Sequence, residues 1–255
     1  SPGVKTETEL YNGSSWTEVN DLNTARHSVS TSGTTTSALS IGGENGGYTG
    51  IVEEWNGSAF SEITDINTTR GEGGGAGANA EAAIIFGGAA PPGKFANTES
   101  WNGSSWTEVG DLNTARFQVM SGVGKVYTAA LCVGGRYPNP TYYNSTESWN
   151  GSSWTEVNNL NQARASCAAQ TGTSSSAIAA GGGNPGLSPA FTGKNEDWNG
   201  VSWVEVADLS QGRSGAGGAG SDNTSAIIYG GYTPSAVATS EIWSSSSTTI
   251  KVLTD

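Results

Sequence analysis

The 255-residue chain holds 38 glycines and nowhere shows the 3.6-residue apolar period of an amphipathic helix, so the class it specifies is all-β. Its formal charge of −12, with 11 Lys and Arg scattered rather than clustered, argues against nucleic acid and anionic membranes, because phosphate neutralisation needs grouped cations. No apolar run is long enough to cross a bilayer, the first residues do not read as signal-like, and acidity with few lysines fits a saline or extracellular setting.

From the N-terminus, residues 6–19 alternate as Thr-Glu-Thr-Glu-Leu-Tyr, meet Asn12-Gly13, and alternate again through Trp16-Thr-Glu-Val19. The same stretch returns as Thr98 to Val109, unchanged as Thr146 to Val157, and in edited form elsewhere. Its first aromatic, at Tyr11, Trp55, Trp101, Trp149, Trp198 and Trp243, steps by 44, 46, 48, 49 and 45 residues. A period in that range belongs to propeller blades or a solenoid. Asn-Gly between two period-2 segments predicts a β-hairpin with a type I′ turn, which needs positive φ at both central residues. The opening Ser1-Pro2-Gly3 lacks an initiator Met and leads straight into half a repeat, so further sequence upstream is expected.

After the first hairpin comes a polar connection, Asn20 to Arg26, whose counterparts end at Arg70, Arg116, Arg164 and Arg213. A strand a of small residues is expected after each Arg, at 27–32, 73–78, 117–122, 165–170 and 214–219. A more apolar strand b then ends in Gly-Gly, as in Ala83-Ile-Ile-Phe-Gly-Gly88 and Ala226-Ile-Ile-Tyr-Gly-Gly231. The segment between that Gly pair and the next hairpin varies in length and chemistry, and holds Tyr48, Phe95, Tyr137, Tyr142, Tyr143, Phe191 and Tyr232.

This order, a strand ending in Gly-Gly followed by an aromatic and then a Trp, resembles the kelch repeat from Thr6 to about Val252. Phe60 replaces the second Trp in one copy, and the last hairpin has lost both Asn-Gly and the second Trp. The resemblance implies a single β-propeller domain over 1–255, with four-stranded antiparallel blades around a channel and strand a innermost. Five a–b pairs and six c–d hairpins give a five-bladed ring with repeats at about 20–63, 64–109, 110–157, 158–206 and 207–253, and a surplus half-repeat at 6–19. The N-terminal hairpin, closer to the consensus, is expected to close the last blade and free the tail from Ser240. The alternatives are that the tail completes its own blade, or that six blades exist with one incomplete.

Alternating strand direction puts the variable b–c loops and the d–a connections on one face, where binding is expected, with the seven aromatics just named as candidate ligand contacts. Arg26, Arg70, Arg116, Arg164 and Arg213 are a candidate ring at the channel mouth for an anion. The favoured reading pairs each with a carboxylate such as Asp21, Asp65, Asp111, Glu99 or Glu147. Glu18, Glu62, Glu108, Glu156 and Glu205 on strand d read as a solvated outer edge.

Catalysis is not expected. Propeller glycosidases use paired carboxylates facing the channel, and the inner strands offer only Glu72. His27 is the sole His, too few for a copper site or a Ser-His pair, so no cofactor or metal is called for. A sialidase-like box would want Asp where this hairpin has Tyr or Trp. Cys132 and Cys167 sit in different repeats and read as buried free thiols, and the Asn-Gly-Ser sequons are explained by the turn. The string Trp101-Asn-Gly-Ser-Ser-Trp106-Thr-Glu-Val109 also looks like repeats of tail-fibre and other structural proteins of marine phages. Together these readings describe a non-catalytic recognition or adhesion module. Its loops would meet a carbohydrate or protein receptor at an extracellular or virion surface, within a phage tail or other larger assembly. The alternative is a purely structural propeller acting as spacer or assembly protomer.

Overall fold

The computed structural model describes residues 4–119, 123–138, 141–167, 169–245 and 251–253, and every named element among them is a β-strand. An N-terminal hairpin pairs β1 (Thr8–Tyr11) with β2 (Trp16–Val19). Blade 1 follows, made of β3 (Ser30–Thr34), β4 (Ser37–Ile41), β5 (Val52–Trp55) and β6 (Phe60–Ile63). Blade 2 runs β7 (Gly74–Asn79), β8 (Ala82–Phe86), a loop hairpin of β9 (Ala89–Ala90) and β10 (Gly93–Lys94), then β11 (Thr98–Trp101) and β12 (Trp106–Val109). Blade 3 is β13 (Val123–Val126), β14 (Ala129–Val133), β15 (Thr146–Trp149) and β16 (Trp154–Val157). Blade 4 is β17 (Ala169–Thr173), β18 (Ser176–Ala180), β19 (Asn195–Trp198) and β20 (Trp203–Val206). Blade 5 is β21 (Gly217–Asp222), β22 (Ser225–Tyr229), the loop hairpin β23 (Tyr232–Thr233) with β24 (Ser235–Ala236), β25 (Ser240–Ser244) and β26 (Lys251–Leu253). The molecule is a β-propeller of five four-stranded antiparallel blades.

Small residues put strand a innermost because neighbouring inner strands touch: a Cβ on Gly75 of blade 2 would lie 2.6 Å from the Thr31 carbonyl of blade 1. Outward, the blades separate and large side chains fill the space. Ile84 and Phe86 of blade 2 pack with Cys132, Trp149 and Trp154 of blade 3, and the same layer recurs between other blades. Burying one such Trp is worth on the order of a few kcal/mol. The polar end of each ring is also met. Trp101 Nε1–H donates to the Ala80 carbonyl at 2.8 Å, and Trp154 Nε1–H crosses to Thr98 Oγ1 of blade 2 at 2.9 Å.

Three expectations are corrected. First, closure: the tail from Ser240 is not freed, because β25 and β26 complete blade 5, Glu241 pairing with Ile228 and Val252. Residues 246–250 and 254–255 of that tail lie outside the described residues. The N-terminal hairpin instead occupies the outer half of a sixth position. Trp16 packs on Tyr229 of blade 5 (4.8 Å between centroids) as Trp154 of blade 3 packs on Phe86 of blade 2 (4.7 Å). On the other side, Asn20 Nδ2 donates to the Ser58 carbonyl of blade 1.

Second, the c–d turn is a four-residue loop rather than a two-residue type I′ turn, since Trp101 pairs with Trp106 and Asn102 does not take positive φ. Only Gly103 does, at φ 92, while Asn102 Oδ1 accepts the amides of Ser104 (3.0 Å) and Ser105 (2.9 Å). The Asn is thus required as an acceptor for its own loop. Third, strand a starts later than expected, at Ser30, Gly74, Ala169 and Gly217, because the residues just after each Arg are used in a left-handed bend. In blade 3 the first described strand residue is Val123, and residues 120–122 of the expected strand 117–122, like residue 168 of 165–170, lie outside the described residues.

Candidate binding face

The b–c loops and d–a connections share one face, tied together by single bridges such as His27 to Glu44, Phe117 to Arg136 and Ala165 to Gly183. Under this face lies a set of buried ion pairs that fixes the loops. Arg70 bonds Glu99 at 2.5 Å, Arg116 bonds Glu147 at 2.6 Å, Arg164 bonds Glu196 at 2.6 Å and Arg213 bonds Glu241 at 2.5 Å, while Arg26 bonds Glu53. These side chains are at most 2 % exposed, so they offer no open cationic ring to a ligand. Of the partners named from sequence, Glu99 and Glu147 accept an Arg; Asp21, Asp65 and Asp111 do not, and are exposed. Glu53, Glu196 and Glu241 were missed. The available signal was their position two residues before a buried Trp, because residues i and i+2 of a strand share a face.

Each pair is a hub. Glu99 Oε2 also accepts the Asn67 amide (2.7 Å) and side chain (2.9 Å), and its Oε1 accepts the Thr68 amide at 3.0 Å. Arg70 donates onward to the carbonyls of Gly87 (3.1 Å) and Asn97 (2.7 Å). One ion pair therefore ties the incoming d–a connection to both ends of the b–c loop. Burial acts to raise the Glu53 carboxyl, but the Asn23 amide and the Arg26 guanidinium outweigh it and hold the group below its ordinary value. Burial likewise pulls Arg70 down, opposed chiefly by Glu99.

At the inner rim, the second residue after each Arg takes a left-handed conformation: Ser28 (φ 57), Glu72 (φ 61), Gln118 (φ 57), Ser166 (φ 48) and Gly215 (φ 64). Four of these carry side chains there at a cost of roughly 1–3 kcal/mol each. A collar links them from blade to blade: the Glu72 amide donates to Ser28 O (2.9 Å), Ser166 to Gln118 O (2.8 Å), Gly215 to Ser166 O (3.0 Å). Gln118 Nε2 donates to Glu72 Oε1 at 3.2 Å. Of these, sequence reasoning noted only Glu72, as the sole carboxylate of the inner strands, and left-handed φ at Ser, Glu and Gln leaves no signature in the sequence.

The predicted aromatics divide into two groups. Phe95 and Tyr143 lie under the Arg70 and Arg116 guanidinium groups at 5.5 and 5.1 Å and belong to the ion-pair layer. Tyr137 and Tyr232 are the open ones, 43 % and 51 % exposed, and Tyr232 meets Phe191 edge-on at 5.6 Å. Tyr48 and Tyr142 are half-buried at cleft walls. One cleft of about 510 Å³ runs between the loops of blades 1 and 2, with Tyr48, Phe95, Glu44 and Thr69 on its walls. Another of about 180 Å³ joins Tyr142 and Phe191 to Gln118, Ser166, Asn184 and Ser214. Beside Tyr142's bridge partner Arg136, the Phe117 ring carries two cations, Lys94 at 4.4 Å and Arg136 at 4.5 Å. The strand d glutamates are exposed on the outer edge, away from these clefts.

No family model matches the chain, and no curated protein matches it in sequence. Among solved structures it is similar to that of YjhT, with a TM-score of 0.76 and 15 % identity over 98 % of this chain and 91 % of that one. At that identity the likeness carries the fold, and the fold is the propeller described above.

Proposed function

We propose that this propeller, which we read as kelch-like, is a non-catalytic recognition module that binds a carbohydrate or protein receptor on its b–c loop face. The observation that carries the reading is the pairing of aromatic walls with uncharged hydrogen-bonding groups in the clefts, Tyr142 and Phe191 beside Gln118, Asn184, Ser166 and Ser214. Aromatic rings stack on the apolar faces of sugars, and amides and hydroxyls fix their orientation. The buried ion pairs support it by holding those loops rigidly, which lowers the ordering cost of binding. The likeness of the Trp-Asn-Gly-Ser-Ser-Trp string to marine-phage repeats favours a virion or other extracellular surface, as part of a tail or similar assembly.

A glycan array probed with the intact chain, followed by titration of the best ligand against Tyr142→Ala and Tyr48→Ala, tests the proposal. Loss of about tenfold or more in affinity at one of the two positions is expected. Binding unchanged in both variants would move the site off these clefts.

A further inference from the structure

The chain sets 11 Lys and Arg against 23 Asp and Glu, so a cation left without a carboxylate stands out. Five of the six arginines lie in the buried pairs, Lys5 pairs with Glu7, and Lys194 pairs with Glu205 and Asp208. Among the described side chains that leaves Lys94, Lys125 and Arg136 with no ion pair. Lys125 is exposed beside the a–b turn of blade 3, on the opposite face. Lys94 and Arg136, both half-buried, meet on the loop face over the one Phe117 ring, 4.4 and 4.5 Å from its centroid.

A row of residues that recurs in every blade brings them together. The residue after each repeat arginine bridges the residue after the Gly pair, and that one bridges a residue further along the loop, so three positions stand abreast on one face. The scaffold beneath is repeated, but the chemistry of the row is not. Blade 2 has Gly71, Ala89 and Lys94, and blade 3 has Phe117, Arg136 and Tyr142. Blade 1 carries a carboxylate at Glu44, while the rows of blades 4 and 5 hold no ionised side chain. Positive charge on these rows is therefore confined to the sector where Lys94 of blade 2 crosses to the Phe117 ring of blade 3.

Two like charges over one ring repel, and the ring attracts each without neutralising either. The carboxylate that reaches this sector, Glu72, takes a hydrogen bond from Gln118 Nε2 at 3.2 Å and pairs with neither cation. Next along the same row, Tyr142 walls the cleft it shares with Phe191 and Gln118, so charge and aromatic surface adjoin. We propose that the ligand of this face is an acidic saccharide, whose carboxylate or sulfate oxygens are held by Lys94 and Arg136 while its ring lies against Tyr142. The inference rests on the recognition function proposed above and names its ligand class. The uncharged amides and hydroxyls beside Tyr142 favour a sugar over an acidic peptide, because they match the hydroxyls of a sugar ring. A net charge of −12 repels polyanions in general, so a preference for acid has to be local to these two side chains.

The test is calorimetric titration of the intact chain with oligosaccharides of matched length: neutral dextran, dextran sulfate and the polyuronate alginate. One of the acidic pair should bind about tenfold or more tighter than dextran, and the tighter of the two assigns the acid as sulfate or carboxylate. That binding should weaken as salt is raised, fall about tenfold or more in Lys94→Gln and in Arg136→Gln, and stay unchanged in Lys125→Gln. Lys94→Gln keeps the test independent of Arg136 packing, since the Lys94 side chain makes no hydrogen bond among the described residues. Acidic binding indifferent to both substitutions overturns the proposal, as does a polyglutamate peptide that binds more tightly than either acidic sugar. Dextran bound as tightly as the acidic pair and weakened only by Tyr142→Ala overturns the acidic preference while leaving loop-face recognition intact. Failure of all three to bind also overturns the acid site, and recognition itself falls only if the glycan array is blank as well.

Discussion

Glu99→Ala removes the acceptor at the centre of one loop hub. The carboxylate is fully buried and takes four hydrogen bonds, from Arg70, the Asn67 amide, the Asn67 side chain and the Thr68 amide. Removing one partner of a buried ion pair strands the other and costs about 3–5 kcal/mol. That is at least about a fifth of the roughly 5–15 kcal/mol that holds a typical domain together. Many buried ion pairs can be replaced by an apolar pair with little loss, but Arg70→Met with Glu99→Leu should not recover here. The carbonyl of Gly87 and the amides of Asn67 and Thr68 would keep no partner among the described residues, at about 1–3 kcal/mol for each that stays dry, while the Asn97 carbonyl would keep only the Gly87 amide. Guanidinium unfolding followed by tryptophan fluorescence reads both variants. A loss below about 1 kcal/mol in Glu99→Ala, or full recovery in the double variant, would refute the hub as the reason these residues recur.

Acid should act through the same layer. Glu53 is held below its ordinary value of 4.5, so its contribution is fully present above that pH and is lost as pH falls through the depressed folded value; thermal melts at stepped pH should show stability steady near neutrality and falling below about that point. The Cys132 thiol, pushed up to about 12 by burial, should resist alkylation at pH 8 in the folded chain and react only on unfolding, as mass spectrometry after iodoacetamide will show. Gly87→Ala and Gly230→Ala share nearly the same φ, +64 and +65, yet only the first drives a Cβ into an Arg carbonyl, at 2.8 Å. Both should cost about 1–2 kcal/mol for the left-handed backbone, and Gly87→Ala a further ~1–3 kcal/mol, measured by the same unfolding curves. Equal losses would mean the space beside Gly230 is not open.

What was legible in the sequence was whatever recurs by local rule. Trp at Trp101 and Trp106, the Asn102 loop and the Gly87-Gly88 strand end each return in the other repeats, and together they yield blade architecture before any contact is known. The chain's closure was not legible, because the tail's divergent Ser244 to Thr248 weighs against pairing while the strand partners of Glu241 depend on a register that no local pattern records. The arginines could be seen to need carboxylates, but choosing Glu147 over Asp111 requires knowing that Glu147 lies on the buried face of strand c while Asp111 sits exposed in the d–a connection. Of the candidate ligand contacts, Phe95 and Tyr143 prove to be stacked on arginines, since a loop aromatic reads the same in sequence whether it faces solvent or its own scaffold.

The most direct test of loop-face recognition compares two single variants on opposite faces of the ring. Tyr142→Ala alters a cleft wall among the b–c loops, while Val201→Ser alters a c–d turn residue that is 70 % exposed. With the best array ligand, affinity should fall by about tenfold or more in the first and stay unchanged in the second. A loss confined to Val201→Ser would contradict the account and move recognition to the other face.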